Sequence, residues 1–273
     1  QEALQAKEPF EDGEQQLRAL GRLKRREILR IGARDILRAA NVLGTITELS
    51  SLADAVLQFI YSICFQNLAG KHGIPCFVDV SGKLRRARFT ILAMGKLGGC
   101  ELNYSSDIDL IFIYDGENGN TTSAESLLES NQPGDPERTP AISTIPQPLI
   151  LEDLKSISNT EFFTKLAQAI THELSNMTEE GYFYRVDLRL RPEGSAGPVA
   201  SSFTACKNYY SSWGETFERM ALIKARPAAG STELGDEFCQ AFNSFVYRKF
   251  LDFAALEEIQ EIKTRIESKL TAR

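Results

Sequence analysis

Apolar residues recur at helical spacing through the first quarter of the chain. Leu17, Leu20 and Leu23, then Ile28, Ile31 and Ile36, predict a helix entered near Glu11, with Gly21 and Gly32 as points of bending. Leu49, Leu52, Val56, Phe59, Ile60 and Ile63 carry a second helix to Leu68, and Thr45 with Glu48 forms a capping box at its start. Between Lys71 and Arg86 the period is lost, and Ser81-Gly82 predicts a hairpin turn. Arg88–Met94 and the unbroken run Leu110–Tyr114 are short, β-branched and aromatic, the pattern of strands buried on both faces. Helical spacing returns in Ser158–Met177 through Phe162, Phe163, Leu166, Ala169, Ile170 and Leu174, with Asn159 or Thr160 as the cap.

A sharp alternation follows. Tyr182, Tyr184, Val186, Leu188 and Leu190 share one face of a predicted strand, and Arg185, Asp187, Arg189 and Arg191 the other. Trp213–Arg226 then predicts a helix with Trp213, Phe217, Met220 and Ala221 inward. Lys224 falls on that stripe, and Glu215, Arg219 and Arg226 lie opposite. From Leu234 the pattern is helical to the end through Leu256, Ile259, Ile262, Ile266 and Leu270. The organisation is therefore α+β: a helical segment over 1–72, a mixed core over 73–230 and a helical segment over 231–273. Residues 115–149 break the pattern with Gly, Ser, Thr, Asn and five prolines, Pro133, Pro136, Pro140, Pro146 and Pro148. So long an irregular stretch inside a core is either a mobile insertion or a lid facing the substrate.

Composition narrows the classes. With 42% apolar and 25% charged residues in 273, the chain can bury a large core. A net charge of −6 argues against non-specific attraction to nucleic acid or to an anionic membrane. No apolar run reaches the length of a spanning helix, and no signal peptide opens the sequence. The first residue is Gln, which suggests a piece of a longer protein. Cys64, Cys76, Cys100, Cys206 and Cys239 are odd in number and scattered, as expected in a reducing cytoplasm and unlike a zinc or disulfide framework. Arg18, Arg22, Arg26, Arg30, Arg34 and Arg38 recur every fourth residue. They read as a solvated face paired with nearby acids or as a docking surface for an acidic partner.

The candidate chemistry lies in Gly95–Asp115. Asp107 and Asp109, two apart at the head of a buried strand, point to the same side, where like charges are costly unless a cation neutralises them. A hard divalent ion does so, and Mg2+ takes one or two carboxylates together with substrate phosphates. The turn Gly95, Lys96, Leu97, Gly98, Gly99 lets backbone N–H groups approach an anion, helped by a short helix starting near Gly99, with Lys96 as a point charge. It is not a P-loop, because no Gly-Lys-Ser/Thr follows a four-residue spacer. An adjacent strand would bring Asp187 beside Asp107 and Asp109, with Arg189 on the same face for phosphate. Exposed ion-pair ladders and a snorkelling Lys224 are the plainer readings of those charges. His172-Glu173 lacks the second histidine of a zinc motif, and only His72 and His172 are present.

Three ordered motifs carry a specific resemblance: G-K-L-G-G-C-E-L-N-Y-S-S-D-I-D-L-I-F from Gly95, R-V-D-L-R-L-R-P-E-G-S-A-G-P from Arg185 and E-R-M-A-L-I-K-A-R-P-A-A-G from Glu218. With K-R-R-E-I-L-R-I-G-A-R-D from Lys24 and F-V-Y-R-K-F-L-D-F from Phe245, they resemble the bifunctional glutamine synthetase adenylyltransferase/deadenylylase family over most of the chain. The resemblance implies a polymerase-β-type nucleotidyltransferase core whose metal aspartates are Asp107, Asp109 and Asp187. It adds phosphate or nucleotide contacts at Gly95, Lys96, Gly98, Gly99, Ser106, Arg189 and Lys224. Only one such aspartate set is present, which corresponds to one half of a longer protein, and the L-I-K-A-R-P-A-A-G and F-V-Y-R-K-F-L-D-F segments are more similar to the deadenylylating half.

The activity so implied is Mg2+-dependent phosphorolysis of AMP from a tyrosine of glutamine synthetase, giving ADP, in the cytoplasm. ADP/ATP and phosphate are the small ligands, and glutamine and the PII signalling protein the implied regulators. Forward adenylylation from ATP, nucleotidyl transfer to a nucleic acid or small molecule, and a catalytically silent nucleotide-binding module are the alternatives.

Overall fold

A computed structural model describes residues 13–123, 155–248 and 253–271. Residues 124–149 of the expected insertion, Glu11, and the middle of the F-V-Y-R-K-F-L-D-F motif lie outside them. The chain opens with α1 (Gly13–Ile36) and α2 (Val42–His72). The first is continuous through Gly21 and Gly32, which pack against Glu180 and Tyr104 instead of bending the helix. The expected capping box is not formed. Asn41 caps α2 by accepting from the Gly44 N–H at 2.7 Å, Thr45 is buried in the first turns, and Glu48 binds Arg30 and Arg34. The arginine stripe is solvated and largely paired, Arg18 with Glu14, Arg30 with Glu27 and Glu48, Arg34 with Glu48, and Arg22 with Glu180.

By length and composition α2 would suffice to cross a membrane, contrary to the sequence expectation. Its apolar face instead buries Leu49, Ala53, Val56, Leu57 and Ile60 in the core.

After α2 the strands β1 (Ile74–Val78) and β2 (Leu84–Arg86) form the expected hairpin around Asp79–Lys83. The main sheet begins with β3 (Phe89–Met94), passes through the single turn α3 (Gly95–Gly98) and returns antiparallel as β4 (Ile108–Tyr114). Within the expected insertion, β5 (Asn120–Thr122) adds to the hairpin sheet in the order β2-β1-β5. Then come α4 (Asn159–Ser175), β6 (Val186–Asp187), β7 (Ala200–Ser202), α5 (Phe203–Ser212), α6 (Thr216–Leu222) and β8 (Arg226–Gly230). Ser158, not Asn159 or Thr160, caps α4. Asn159 is buried and its amide donates to the carbonyls of Cys76 and Gly116, tying the small sheet to α4.

The larger sheet runs β6-β4-β3-β8, and β7 pairs with the far end of β4. Strands β3 and β4 are buried on both faces, which is why their sequences show no polar alternation. Phe89, Ile91, Ala93, Leu110, Phe112 and Tyr114 pack on α2 and α4, where Phe163 stacks on Phe89 and Tyr114. Leu92, Met94, Ile111 and Ile113 pack on the other side with Cys206, Tyr210, Leu222, Phe238 and Phe242. This is the α+β arrangement the sequence predicts, a mixed sheet with helices on both faces.

The C-terminal helix is not continuous from Leu234. It divides into α7 (Thr232–Ala241), α8 (Asn243–Val246) and α9 (Phe253–Thr271). On α9 Leu256 is exposed, while Ile259 and Ile262 are half-buried.

The helix expected over 213–226 is also shorter. Trp213 and Phe217 are exposed, whereas Thr216, Glu218, Arg219 and Leu222 are buried. Glu218 accepts from the Glu215 N–H and from the Tyr209 hydroxyl, and Arg219 lies over the Phe245 ring. A wheel drawn from Trp213 assumed a helix through Gly214 and Lys224, and neither residue is in it.

Candidate active site

The C-terminal end of β3 and the start of β4 meet at the edge carried by β6. In the parallel pair of β4 and β6, Ile108 faces Val186 and Asp109 faces Asp187; on its other side Asp109 faces Met94. The strand expected over Tyr182–Arg191 is only two residues long. β4 offers its free edge to β6 at Ile108–Asp109 and to β7 at Phe112–Tyr114, and the chain between them turns at Leu188–Gly194. Arg191, expected on the charged face, donates instead to the carbonyls of Leu188, Ser195 and Gly197 and fixes that turn.

Gly95 follows Met94 directly and places α3 over Asp109. Its φ is +54°, and a Cβ there would meet the Asp109 carboxylate at 2.3 Å, so only glycine lets the turn close on the acid. The helix starts at Gly95 and not near Gly99. Gly98 lies backbone to backbone against Ala93 and Lys224, and the Arg226 guanidinium holds Leu97 by its carbonyl at 2.9 Å while pairing with Asp54 of α2.

The charges form a compact set. Arg185 donates from Nε to Asp107 at 2.5 Å and from Nη2 to the Ser105 carbonyl at 3.2 Å. Arg189 contacts both Asp187 oxygens, with Nε at 3.0 Å from each and its backbone N–H at 2.9 Å from Oδ1. Lys96 reaches Ser106 Oγ at 3.4 Å, and Ser106 donates to Asn103 Oδ1 at 2.5 Å.

Burial, then the negative charges of Asp187 and Asp107, push the Asp109 carboxyl above the usual range against the opposing pull of Arg189 and Lys96. Asp187 is shifted the other way, held low chiefly by the Arg189 hydrogen bonds. Helix α1 braces both approaches to the site. Lys24 donates to the Phe183 carbonyl and lies over the Tyr184 ring, and Asp35 accepts from the Tyr104 hydroxyl at 3.1 Å.

Asp107, Asp109, Asp187, Gly95, Lys96, Ser106 and Arg189 thus gather at one end of the sheet. Gly98 and Gly99 lie on the far side of α3, next to Lys224. That lysine is exposed beyond the end of α6 and is bound to Glu101 at 2.6 Å, so it does not snorkel along a core helix. Arg185 was missed as a site residue, although the alternation had put it on the face of Asp187.

Among the described residues no three His, Cys, Asp or Glu side chains converge closely enough to hold a metal ion; Asp107 is bonded to Arg185 and Asp187 to Arg189. The donor chemistry nonetheless fits a hard cation. Two carboxylates face each other across adjacent strands, and Asp109 is pushed upward in pKa first by burial and then by the negative charges of Asp187 and Asp107.

A mixed sheet covered by helices on both faces, with facing aspartates at one end beside a glycine turn, is the architecture of a nucleotidyltransferase-type protein. The sequence pattern of glutamate-ammonia ligase adenylyltransferase matches residues 1–132 and 146–241, and the chain belongs to that family.

Among relatives, the bifunctional glutamine synthetase adenylyltransferase/adenylyl-removing enzyme of Nitrosococcus oceani is 36% identical over 251 residues, 92% of this chain and 22% of its own length. The proteins of the same name from Pseudomonas aeruginosa and Methylococcus capsulatus are 37% and 34% identical over 98% and 93% of the chain, and 24% and 23% of their own. The chain thus spans about a quarter of the length of these relatives.

Proposed function

We propose that this chain carries a nucleotidyl-transfer site that removes AMP from an adenylylated tyrosine of glutamine synthetase by phosphorolysis, releasing ADP. The observation that carries the reading is the facing of Asp109 and Asp187 across β4 and β6, with Asp107 two residues away and three cations around them. The relatives' names point to the substrate, and the likeness of the L-I-K-A-R-P-A-A-G segment from Leu222 and the F-V-Y-R-K-F-L-D-F segment from Phe245 to the deadenylylating half supports the direction.

Asp109, Asp187 and Asp107 would hold Mg2+, which when bound supplies orienting charge and neutralises charge developing on the phosphoryl group. Lys96, Ser106, Arg189 and the Gly95 end of the turn bind phosphate oxygens, whereas Gly98 and Gly99, expected to do so, pack beside Lys224, which is paired with Glu101. An oxygen of orthophosphate bonds to the α-phosphorus as the bond from phosphorus to the tyrosine oxygen breaks. The new P–O–P linkage is that of ADP, and the phenolate takes a proton from solvent. Phosphate is already an anion, so the site requires no general base.

Incubation with adenylylated glutamine synthetase, Mg2+ and orthophosphate, followed by assay of ADP, tests this. ADP that depends on both Mg2+ and phosphate supports it, and its absence contradicts it. The relatives' names also carry the adenylyltransferase activity, so forward transfer from ATP is the second reading, and unmodified glutamine synthetase with ATP is its assay.

A further inference from the structure

The run R-V-D-L-R-L-R contains three arginines in two different situations. Arg191 is fixed by backbone carbonyls on its own turn. Arg185 and Arg189 end on the carboxylates of Asp107 and Asp187, and their side chains remain 61% and 78% exposed. Asp107 is likewise half exposed while Asp187 is only 18% so, and pairs with so exposed a guanidinium contribute little and cost little to break. Together with Lys96 they balance the three aspartates, so the cluster as it stands is neutral. A divalent cation added to it leaves a surplus of two positive charges, the complement of a phosphate dianion.

We infer that Arg185 and Arg189 are exchange counter-ions. Each holds one aspartate until a divalent cation takes that carboxylate, and the released guanidinium then binds phosphoryl oxygens of the incoming phosphate or nucleotide. Cation and phosphate ligand therefore bind with positive coupling, and phosphate oxygens do not compete with Asp107 and Asp187 for the arginines once the cation is in place. Planar guanidinium groups suit both partners, since carboxylate and phosphate accept the same paired N–H donors. Arg185 thereby gains a role in substrate positioning beside Arg189. The inference rests on the metal-dependent reading above, and its test separates the two.

Mn2+ binding to the 273-residue chain, followed by the electron paramagnetic resonance of the free ion, is compared for the parent, Arg185→Ala and Arg185→Lys. ADP affinity is measured by calorimetry with and without Mg2+. Removing the competing guanidinium should tighten Mn2+ about two- to fivefold in Arg185→Ala, the range of an exposed pair. The same variant should bind ADP about tenfold more weakly in Mg2+, and should lose most of the gain in ADP affinity that Mg2+ gives the parent. Arg185→Lys, which keeps the charge, should fall between the two. Arg18→Ala, which breaks a pair with Glu14 on α1, should change neither affinity.

Unchanged or weaker Mn2+ binding in Arg185→Ala overturns the exchange while leaving the metal site standing. So does unchanged ADP affinity, or an equal effect of Arg18→Ala. A parent chain that binds no Mn2+ at millimolar concentration overturns the exchange and the metal site together.

Discussion

Asp187 stands opposite Asp109 in the parallel register of β6 and β4, and the two carboxylates are driven in opposite directions. Asp109 is pushed up by burial and by Asp187 itself, while Asp187 is held down by Arg189. A pair that ionises so unequally has one member in need of a counter-charge. Asp109→Asn should therefore leave the fold intact, with a melting temperature at or above the parent's, and Asp107→Asn, which breaks only an exposed pair with Arg185, should melt close to it. Each should reduce phosphorolytic activity about 10³-fold, the equivalent of about 4 kcal/mol of transition-state stabilisation. Activities within about tenfold of the parent at saturating Mg2+ would remove both residues from the mechanism.

Arg189→Lys replaces a planar fork by a point charge. Nucleotide or phosphate affinity should fall several-fold while the melting temperature barely moves, because the side chain is 78% exposed. Calorimetric titration with ADP, paired with a melting curve, checks this. A variant that melts several degrees lower with unaltered nucleotide binding would make the pair a structural one.

Gly98→Ala tests the seat of the glycine turn. A Cβ would lie 2.1 Å from the Lys224 carbonyl oxygen and 2.7 Å from that of Ala93, both backbone atoms that cannot swing aside. Denaturant unfolding should show a loss of about 1–3 kcal/mol, the usual cost of overpacking. Activity should fall with it, because α3 moves relative to Asp109. Unchanged stability would mean that α3 is not held between β3 and β8.

Glu218, the glutamate of E-R-M-A-L-I-K, gives a pH prediction away from the site. Burial raises its pKa even though Tyr209 and the Glu215 N–H bond to it. The folded state then keeps a proton that the unfolded chain has lost, so this group lowers stability as pH rises through the carboxylate range. Glu218→Gln retains an acceptor for both donors. It should match or exceed the parent's melting temperature at pH 7, with the difference vanishing below about pH 4. A variant less stable at pH 7 and equal to the parent at low pH would reverse the sign of the effect.

The sequence made the buried strands legible because β3 and β4 are apolar on both faces, and a charged residue such as Asp109 stands out against that background. The facing of Asp187 was legible for the opposite reason, since its alternating apolar and charged neighbours marked a strand with one face in the core. What escaped were features that depend on a partner in space. The length of β6 is set by β7 taking the rest of the β4 edge. The cap at Asn41 won over Thr45 because Thr45 is buried one turn into α2, and Glu48 is drawn to Arg30 and Arg34. Lys224 was misread because the helical wheel presumed a helix that ends at Leu222. For Arg185 the alternation gave only its face, shared with Asp187; its bond to Asp107 is a contact across strands.

The central claim is phosphorolysis, and the fate of labelled orthophosphate tests it most directly. Adenylylated glutamine synthetase is incubated with the chain, Mg2+ and ³²P-orthophosphate, and the nucleotide products are separated. The account predicts ADP labelled in its β-phosphate, with no comparable transfer of label from α-³²P-ATP to unmodified glutamine synthetase. Unlabelled AMP as the product, or label passing from ATP to the unmodified enzyme without any phosphate-dependent ADP, would contradict it.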